Sequence, residues 1–281
     1  MMENGRETIT PRNPLAWAFP LLAAAAALLL PGCGGEKSAD AAESALELYC
    51  GAGIRPAAAE LVETFREKTG TRINATYAGS GRLLGQLAAS RRGDLFMPGS
   101  DFYADQAAEG KLAVAETKKT VAYFVPVIFV AKGNPLKIES LADLAEKKLR
   151  LGLGDERAVA IGRRAKQLFE KNKIPLDKIK ANQVLTGGTV NELCVALGIG
   201  NIDAAIVWDA DARQFGERGD IVPIPPNANI VSKVPIVRLA FSSNPKAADA
   251  FIAFAASKEG RAIFEKHKYT VKAPQKHGDA E

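Results

Sequence analysis

From Leu46 onward, short apolar runs alternate with stretches whose apolar residues recur at helical spacing. Leu46–Cys50 predicts a strand, and a Gly51-Ala52-Gly53 turn follows it. A helix is expected from Pro56, burying Leu61, Val62 and Phe65 and stopping at Gly70, a residue suited to a C-cap. Ile73–Tyr77 reads as the next strand, Gly79-Ser80-Gly81 as a turn and Arg82–Ala89 as a short helix. Asp94–Met97 makes a third strand, closed by Pro98-Gly99. Strands alternating with helices at this spacing predict parallel sheets with helices on both faces.

Val121–Val130 is a continuous apolar run with Pro126 in its middle. Proline cannot donate to a sheet ladder, so the run predicts a strand that leaves one lobe and enters another. In the second lobe, strands are expected at Leu149–Leu153, Val184-Leu185 and Ala204–Trp208, with helices at Ile161–Lys171 and Val190–Leu197. A proline-rich return, Pro223 to Pro226, leads back through Ile236–Leu239 to two closing helices, Ala247–Ala255 and Glu259–Lys266. The fold class expected is α/β, two lobes joined by two strand crossovers that act as a hinge. Lobe I takes residues 46–126 and 230–272, lobe II takes 127–229, and 273–281 form a disordered tail. Open α/β sheets place ligands at the C-terminal ends of their strands, here in the gap between lobes.

The first residues change the picture. Arg6 and Arg12 precede an apolar run, Leu15 to Leu30, that ends in Leu30-Pro31-Gly32-Cys33 before a polar stretch. A basic start, a short apolar core and small residues before a cleavage point predict a signal peptide over residues 1–32. The alternative, a membrane-spanning anchor, needs about 20 apolar residues. This run is shorter and is interrupted by Pro20. Leu-x-Gly before Cys33 resembles a bacterial lipobox, which implies a lipid on that thiol and a tether over 33–45. The protein is then expected in the periplasm or on the cell exterior, held to a membrane.

The 281 residues carry a formal net charge of +5, with basic residues dispersed, so no tract suited to nucleic acid is present. Cys50 and Cys194 read as small buried hydrophobes, Cys194 within a helical stripe with Val190, Leu193 and Leu197. With only His267 and His277 besides, no set of direct cation ligands is expected.

Four turns stand between a strand and a helix: Cys50 to Gly53, Gly79 to Gly81, Ala158 to Gly162, and Thr186 to Val190. Glycine lets backbone approach a ligand, and helix-start amides lack intrahelical acceptors. Several such starts aimed at one point hold an anion without lysine or arginine. Singly, each is an ordinary turn. Arg55 and Arg82 beside them read as solvated helix starts. Asp155, Asp209 and Asp211 read as hydrogen-bonding or capping residues, and Trp208 equally as a plain cleft-wall aromatic.

Tyr77-Ala78-Gly79-Ser80-Gly81, Gly154-Asp155 leading into Gly162-Arg163-Arg164, and Ile206 to Ala212 resemble the molybdate-binding proteins of ABC importers. So does the tail from Ser243-Asn244-Pro245 through Ile263-Phe264-Glu265. That resemblance implies the type II periplasmic binding fold and capture of molybdate or tungstate in the interlobe cleft. Its site falls on Gly53, Ser80, Ile161, Val190 and Trp208. Ser80 matches a family serine, while Ile161 and Val190 stand where main-chain amides donate. Gly53 and Trp208 replace a serine and a tyrosine, keeping an amide N–H and an indole N–H respectively. Molybdate and tungstate are dianions near neutral pH, so every partner should donate, and a carboxylate facing them would reject them. The implied partners are an ABC permease and ATPase; a monomer is expected, with no cofactor.

Sulfate, phosphate and ferric iron are alternative ligands, although the five tyrosines include no adjacent pair of the kind that holds ferric iron. A lipoprotein ligand-sensing module is a further alternative. Catalysis is not expected. Gly152-Leu153-Gly154 lacks the third glycine of a dinucleotide fingerprint, and Ala78 breaks a Gly-x-Ser-x-Gly elbow at Ser80.

Overall fold

The computed structural model describes residues 45–273, all within one compact unit. The expected signal peptide, Cys33, the tether and nearly all of the tail lie outside the described residues.

Two five-stranded sheets form the framework. In chain order the first lobe holds β1 (Leu46–Gly51), α1 (Arg55–Thr69), β2 (Ile73–Ala78), α2 (Ser80–Ser90), β3 (Leu95–Met97), α3 (Asp101–Glu109) and β4 (Lys119–Phe124). The second holds β5 (Pro126–Ala131), α4 (Asp143–Glu146), β6 (Leu151–Gly154), α5 (Ala160–Lys171), α6 (Leu176–Asn182) and β7 (Gln183–Gly187). It continues with α7 (Val190–Gly198), β8 (Ala204–Trp208), α8 (Asp209–Gln214) and β9 (Gly219–Pro223). The chain then returns to the first lobe with β10 (Ser232–Arg238), α9 (Pro245–Ala256) and α10 (Lys258–Lys266).

The strand orders are β2-β1-β3-β10-β4 and β7-β6-β8-β5-β9. Each sheet has a parallel trio, β2-β1-β3 or β7-β6-β8, as the alternation predicts. Neither sheet is wholly parallel, however. The strands that cross between lobes, β10 and β5, enter antiparallel and bring β4 and β9 with them. The parallel strands all end toward the other lobe.

The expected single run Val121–Val130 is two strands in different sheets. Val125 breaks it because its backbone pairs with Asp209 instead of a ladder. Asp209 N–H donates to the Val125 carbonyl at 2.8 Å, and Val125 N–H donates to Asp209 Oδ1 at 3.4 Å. The second crossover is tied to the first by buried Asn229, whose amide donates to the Pro126 and Ile224 carbonyls at 2.9 and 3.3 Å. Two adjacent crossovers fixed this way define one axis between the lobes.

Local signals account for most elements. Helix α1 begins with Pro56 in its first turn and ends at Gly70, left-handed at φ 75°, whose N–H closes on the Arg66 carbonyl. It buries Leu61 and Phe65, each contributing roughly 1.5–3 kcal/mol, and Phe65 meets Phe251 of α9 edge-on at 5.2 Å. Cys50 and Cys194 are free thiols, both buried.

Candidate functional site

Four helical starts converge where the two trios face each other. In lobe I these are the 3-10 turn Ala52–Ile54 after β1 and the start of α2 at Ser80; in lobe II they are the starts of α5 and α7. They enclose a cavity of about 20 Å³, lined also by Gly99 and by Phe124 and Trp208. A single water needs roughly 10–15 Å³ of such space. As it stands the cavity has room for little more than one water, far too little for a sugar or a peptide.

Of the five residues expected at the site, Gly53, Ser80, Val190 and Trp208 line this cavity. Ile161 does not. It is fully buried as the second residue of α5, and Val159 and Ala160 form the wall there. As the second residue of α5 it still leads with an N–H that has no intrahelical acceptor, while Gly162 serves helix–strand packing: a Cβ there would fall 2.3 Å from the Gly154 carbonyl oxygen.

No lysine, arginine, histidine, aspartate or glutamate lines the cavity. Donors do. Ser80 Oγ accepts from Gly99 N–H at 3.0 Å, which leaves its own hydrogen to point elsewhere. Trp208, 2% exposed, stacks on Phe124 with centroids 4.7 Å apart and planes 5° apart. Its indole N–H has no acceptor among the described residues. The leading amides of α5 and α7 have no intrahelical acceptor. At α7, Thr189 Oγ1 accepts from Glu192 N–H at 3.2 Å while Glu192 accepts from Gly188 N–H at 2.7 Å. This reciprocal cap engages the flanking amides and leaves the amide of Val190 outside it.

The lobes are in contact. Gly81 N–H and Arg82 N–H of lobe I donate to the Ala158 carbonyl of lobe II at 3.0 and 3.4 Å. That carbonyl is held in place by Asp155, whose carboxylate accepts from Arg157 N–H and Ala158 N–H at 2.8 and 2.9 Å. Farther out, Arg164 donates through Nε and Nη2 to Ser232 Oγ at 2.8 and 2.6 Å, and Arg163 lies 3.5 Å above the Phe102 ring. Arg55 and Arg82 are exposed, as expected of helix starts.

A larger groove of about 690 Å³ runs along the outer seam between α2–α3 and α5. It is open to solvent, and two of the three cations lining it are engaged, Lys166 with Glu156 at 3.0 Å and Arg163 over Phe102. The small cavity is the better candidate.

Asp155 and Asp209 bond as expected, Asp209 also lying 3.6 Å from Arg213. Asp211 departs from expectation, since neither carboxyl oxygen has a partner. It lies against Gly53, and a Cβ on that glycine would meet Val190 Cγ1 at 2.9 Å and Asp211 Oδ2 at 3.0 Å. The carboxyl does not itself line the cavity. Gly53 thus stands where no larger residue fits.

Two lobes, a pair of crossovers and a closed interlobe cavity define a solute-binding protein. The chain belongs to the bacterial extracellular solute-binding proteins, whose family model matches residues 46–270. It is 33% identical over 222 residues to a Haemophilus influenzae protein described only as a binding protein, covering 78% of this chain and 88% of that one. It is 26% identical over 219 residues to the molybdate-binding protein ModA of Mycobacterium tuberculosis, covering 78% and 81%. The fold matches the periplasmic molybdate-binding protein of Azotobacter vinelandii at 18% identity and a TM-score of 0.69, covering 82% and 100%. It also matches the sulfate-binding protein SubI of Mycobacterium tuberculosis at 16% identity and a TM-score of 0.71, covering 80% and 86%.

Proposed function

We propose that this chain captures a small tetrahedral oxyanion, molybdate or tungstate, for an ABC permease and its ATPase, anchored by a lipid on Cys33 and acting as a monomer. The observation that carries the reading is a closed interlobe cavity lined by neutral donors and by no charged side chain. Helix-start amides, the Ser80 hydroxyl and the Trp208 indole N–H favour a fully deprotonated anion. A protonated phosphate would call for a carboxylate acceptor, and no carboxylate lines the cavity. Relatives named for molybdate agree with the reading, and one neighbour in fold named for sulfate keeps that dianion as the second ligand to test.

The anion first meets lobe I at Gly53 and Ser80. Closure about the two crossovers then adds the amides beginning α5 and α7, with Trp208 completing the wall. The test is a thermal-shift panel with molybdate, tungstate, sulfate, phosphate and ferric citrate. Stabilisation by molybdate and tungstate is expected. Stabilisation by phosphate or ferric citrate alone would overturn the assignment.

A further inference from the structure

Asp211 is the third residue of α8, on the lobe II side of the seam. It is 1% exposed, and its carboxyl has no hydrogen-bond partner. Part of its cover comes from the opposite lobe. A Cβ on Gly53 would lie 3.0 and 3.2 Å from the two carboxyl oxygens. The Tyr269 hydroxyl donates to the Gly53 carbonyl at 2.5 Å, and its ring packs beside Phe124 and Phe264 of lobe I. Tyr269 belongs to lobe I, where Tyr123 N–H of β4 donates to the Thr270 carbonyl at 2.6 Å. Parting the lobes would therefore give this carboxyl back to water.

The charged and titratable groups around Asp211 offer no compensation. Asp209 on its own helix adds like charge, and Cys194 of α7 and Tyr269 also face it. Cys50 of β1 lies beyond Tyr269. Arg213 is engaged by Asp209, and Glu192 of α7 is folded back on Gly188 and Thr189. Asp220 of β9 is held by Lys132 at 2.7 Å, while β5 and β8 carry no titratable side chain. Desolvation, then the charge of Asp209, holds the carboxyl well above its ordinary range.

We propose that Asp211 is a proton-binding site coupled to lobe closure, so that the closed, loaded protein carries one proton more than the open one. The proton comes from solvent onto the Asp211 carboxylate as the lobes meet, and returns to solvent when they part. The proton is then taken up and released along with the anion, which rests on the oxyanion reading above. The raised value belongs to the closed state, so its contribution to closure is complete below the open-state value of about 4. It is lost as pH rises through the closed-state value, and between the two, affinity falls by up to about tenfold per pH unit.

The experiment is calorimetry of the purified protein with molybdate, and with sulfate, in buffers of different ionisation heat from about pH 6 to about pH 8. Uptake of up to one proton per anion and an affinity that falls with pH are expected. Asp211→Asn, neutral and of the same shape, should abolish both. Anion binding without proton uptake, or the same slope in Asp211→Asn, would overturn the proposal. Should that variant fail to fold, the wild-type proton count decides. If neither anion gives heat, the oxyanion reading fails separately. Closure is then followed by the emission of Trp208, the only tryptophan among the described residues. A red shift with rising pH in the wild type alone supports the proposal, and identical traces refute it.

Discussion

Replacing Gly81 by alanine separates folding from closure. Gly81 is the second residue of α2 and is not left-handed, so alanine suits its backbone and should stabilise the helix by about 0.5–1 kcal/mol. The obstacle lies across the seam. A Cβ there would sit 2.0 Å from the Arg157 carbonyl oxygen and 3.1 Å from the Ala158 Cα. These are backbone atoms, which cannot swing aside as a side chain would. Closure must then stop short, at an overpacking cost of about 1–3 kcal/mol. It would also strain the bonds from Gly81 and Arg82 to the Ala158 carbonyl, about 0.5–1.5 kcal/mol each. The sum, about 2–6 kcal/mol borne by the closed state alone, predicts molybdate affinity weakened about 30-fold to about 20,000-fold. Calorimetry measures the affinity and a thermal melt of the ligand-free protein measures the fold. Binding within about threefold of wild type, at equal or higher melting temperature, would refute the reasoning.

Ser80→Ala removes a donor to the anion and the acceptor of Gly99 N–H, so oxyanion affinity should fall about 10- to 100-fold for a charged hydrogen bond of about 1.5–3 kcal/mol. An unchanged dissociation constant would remove Ser80 from the site. Trp208→Phe deletes the indole N–H while keeping an aromatic ring against Phe124, so affinity should drop without loss of melting temperature. Equal losses of both would make Trp208 a packing residue. Burial raises the Cys50 and Cys194 thiols above their ordinary range, so both should stay thiols as pH rises from neutral to mildly alkaline and resist maleimide until denaturant is added. Labelling of either in the native protein would contradict that burial.

The helices with strong end signals were legible from the sequence, as Pro56 and Gly70 bracketing α1 illustrate. Helix α3 was not. Its buried positions are Tyr103 and two alanines, a weak apolar stripe, and its N-cap is Ser100, whose Oγ accepts from Phe102 N–H at 3.3 Å just after the Pro98-Gly99 break. Strand β9 was missed because its residues Gly219–Pro223 become a strand through pairing with β5, which is remote in sequence. The antiparallel entry of β5 and β10 could not be read locally either. Pro126 announces a crossing, but strand direction follows from which sheet receives it.

Residues that line the cavity were legible where glycine and helix-start patterns mark positions that backbone must approach. Asp211 was not, and the reason is physical. A carboxylate three residues into a helix looks like an ordinary cap, and nothing in the local sequence shows that Gly53 of the opposite lobe lies against it. Gly53 belongs to the same contact. In isolation it is a flexible turn residue. Against Val190 and Asp211 it is the residue that lets the lobes meet, since a Cβ would come within 3.0 Å of both. The absent side chain and the unpartnered carboxyl are thus two sides of one fit. Enlarging Gly53 should weaken closure even though its amide would still be present to meet an anion.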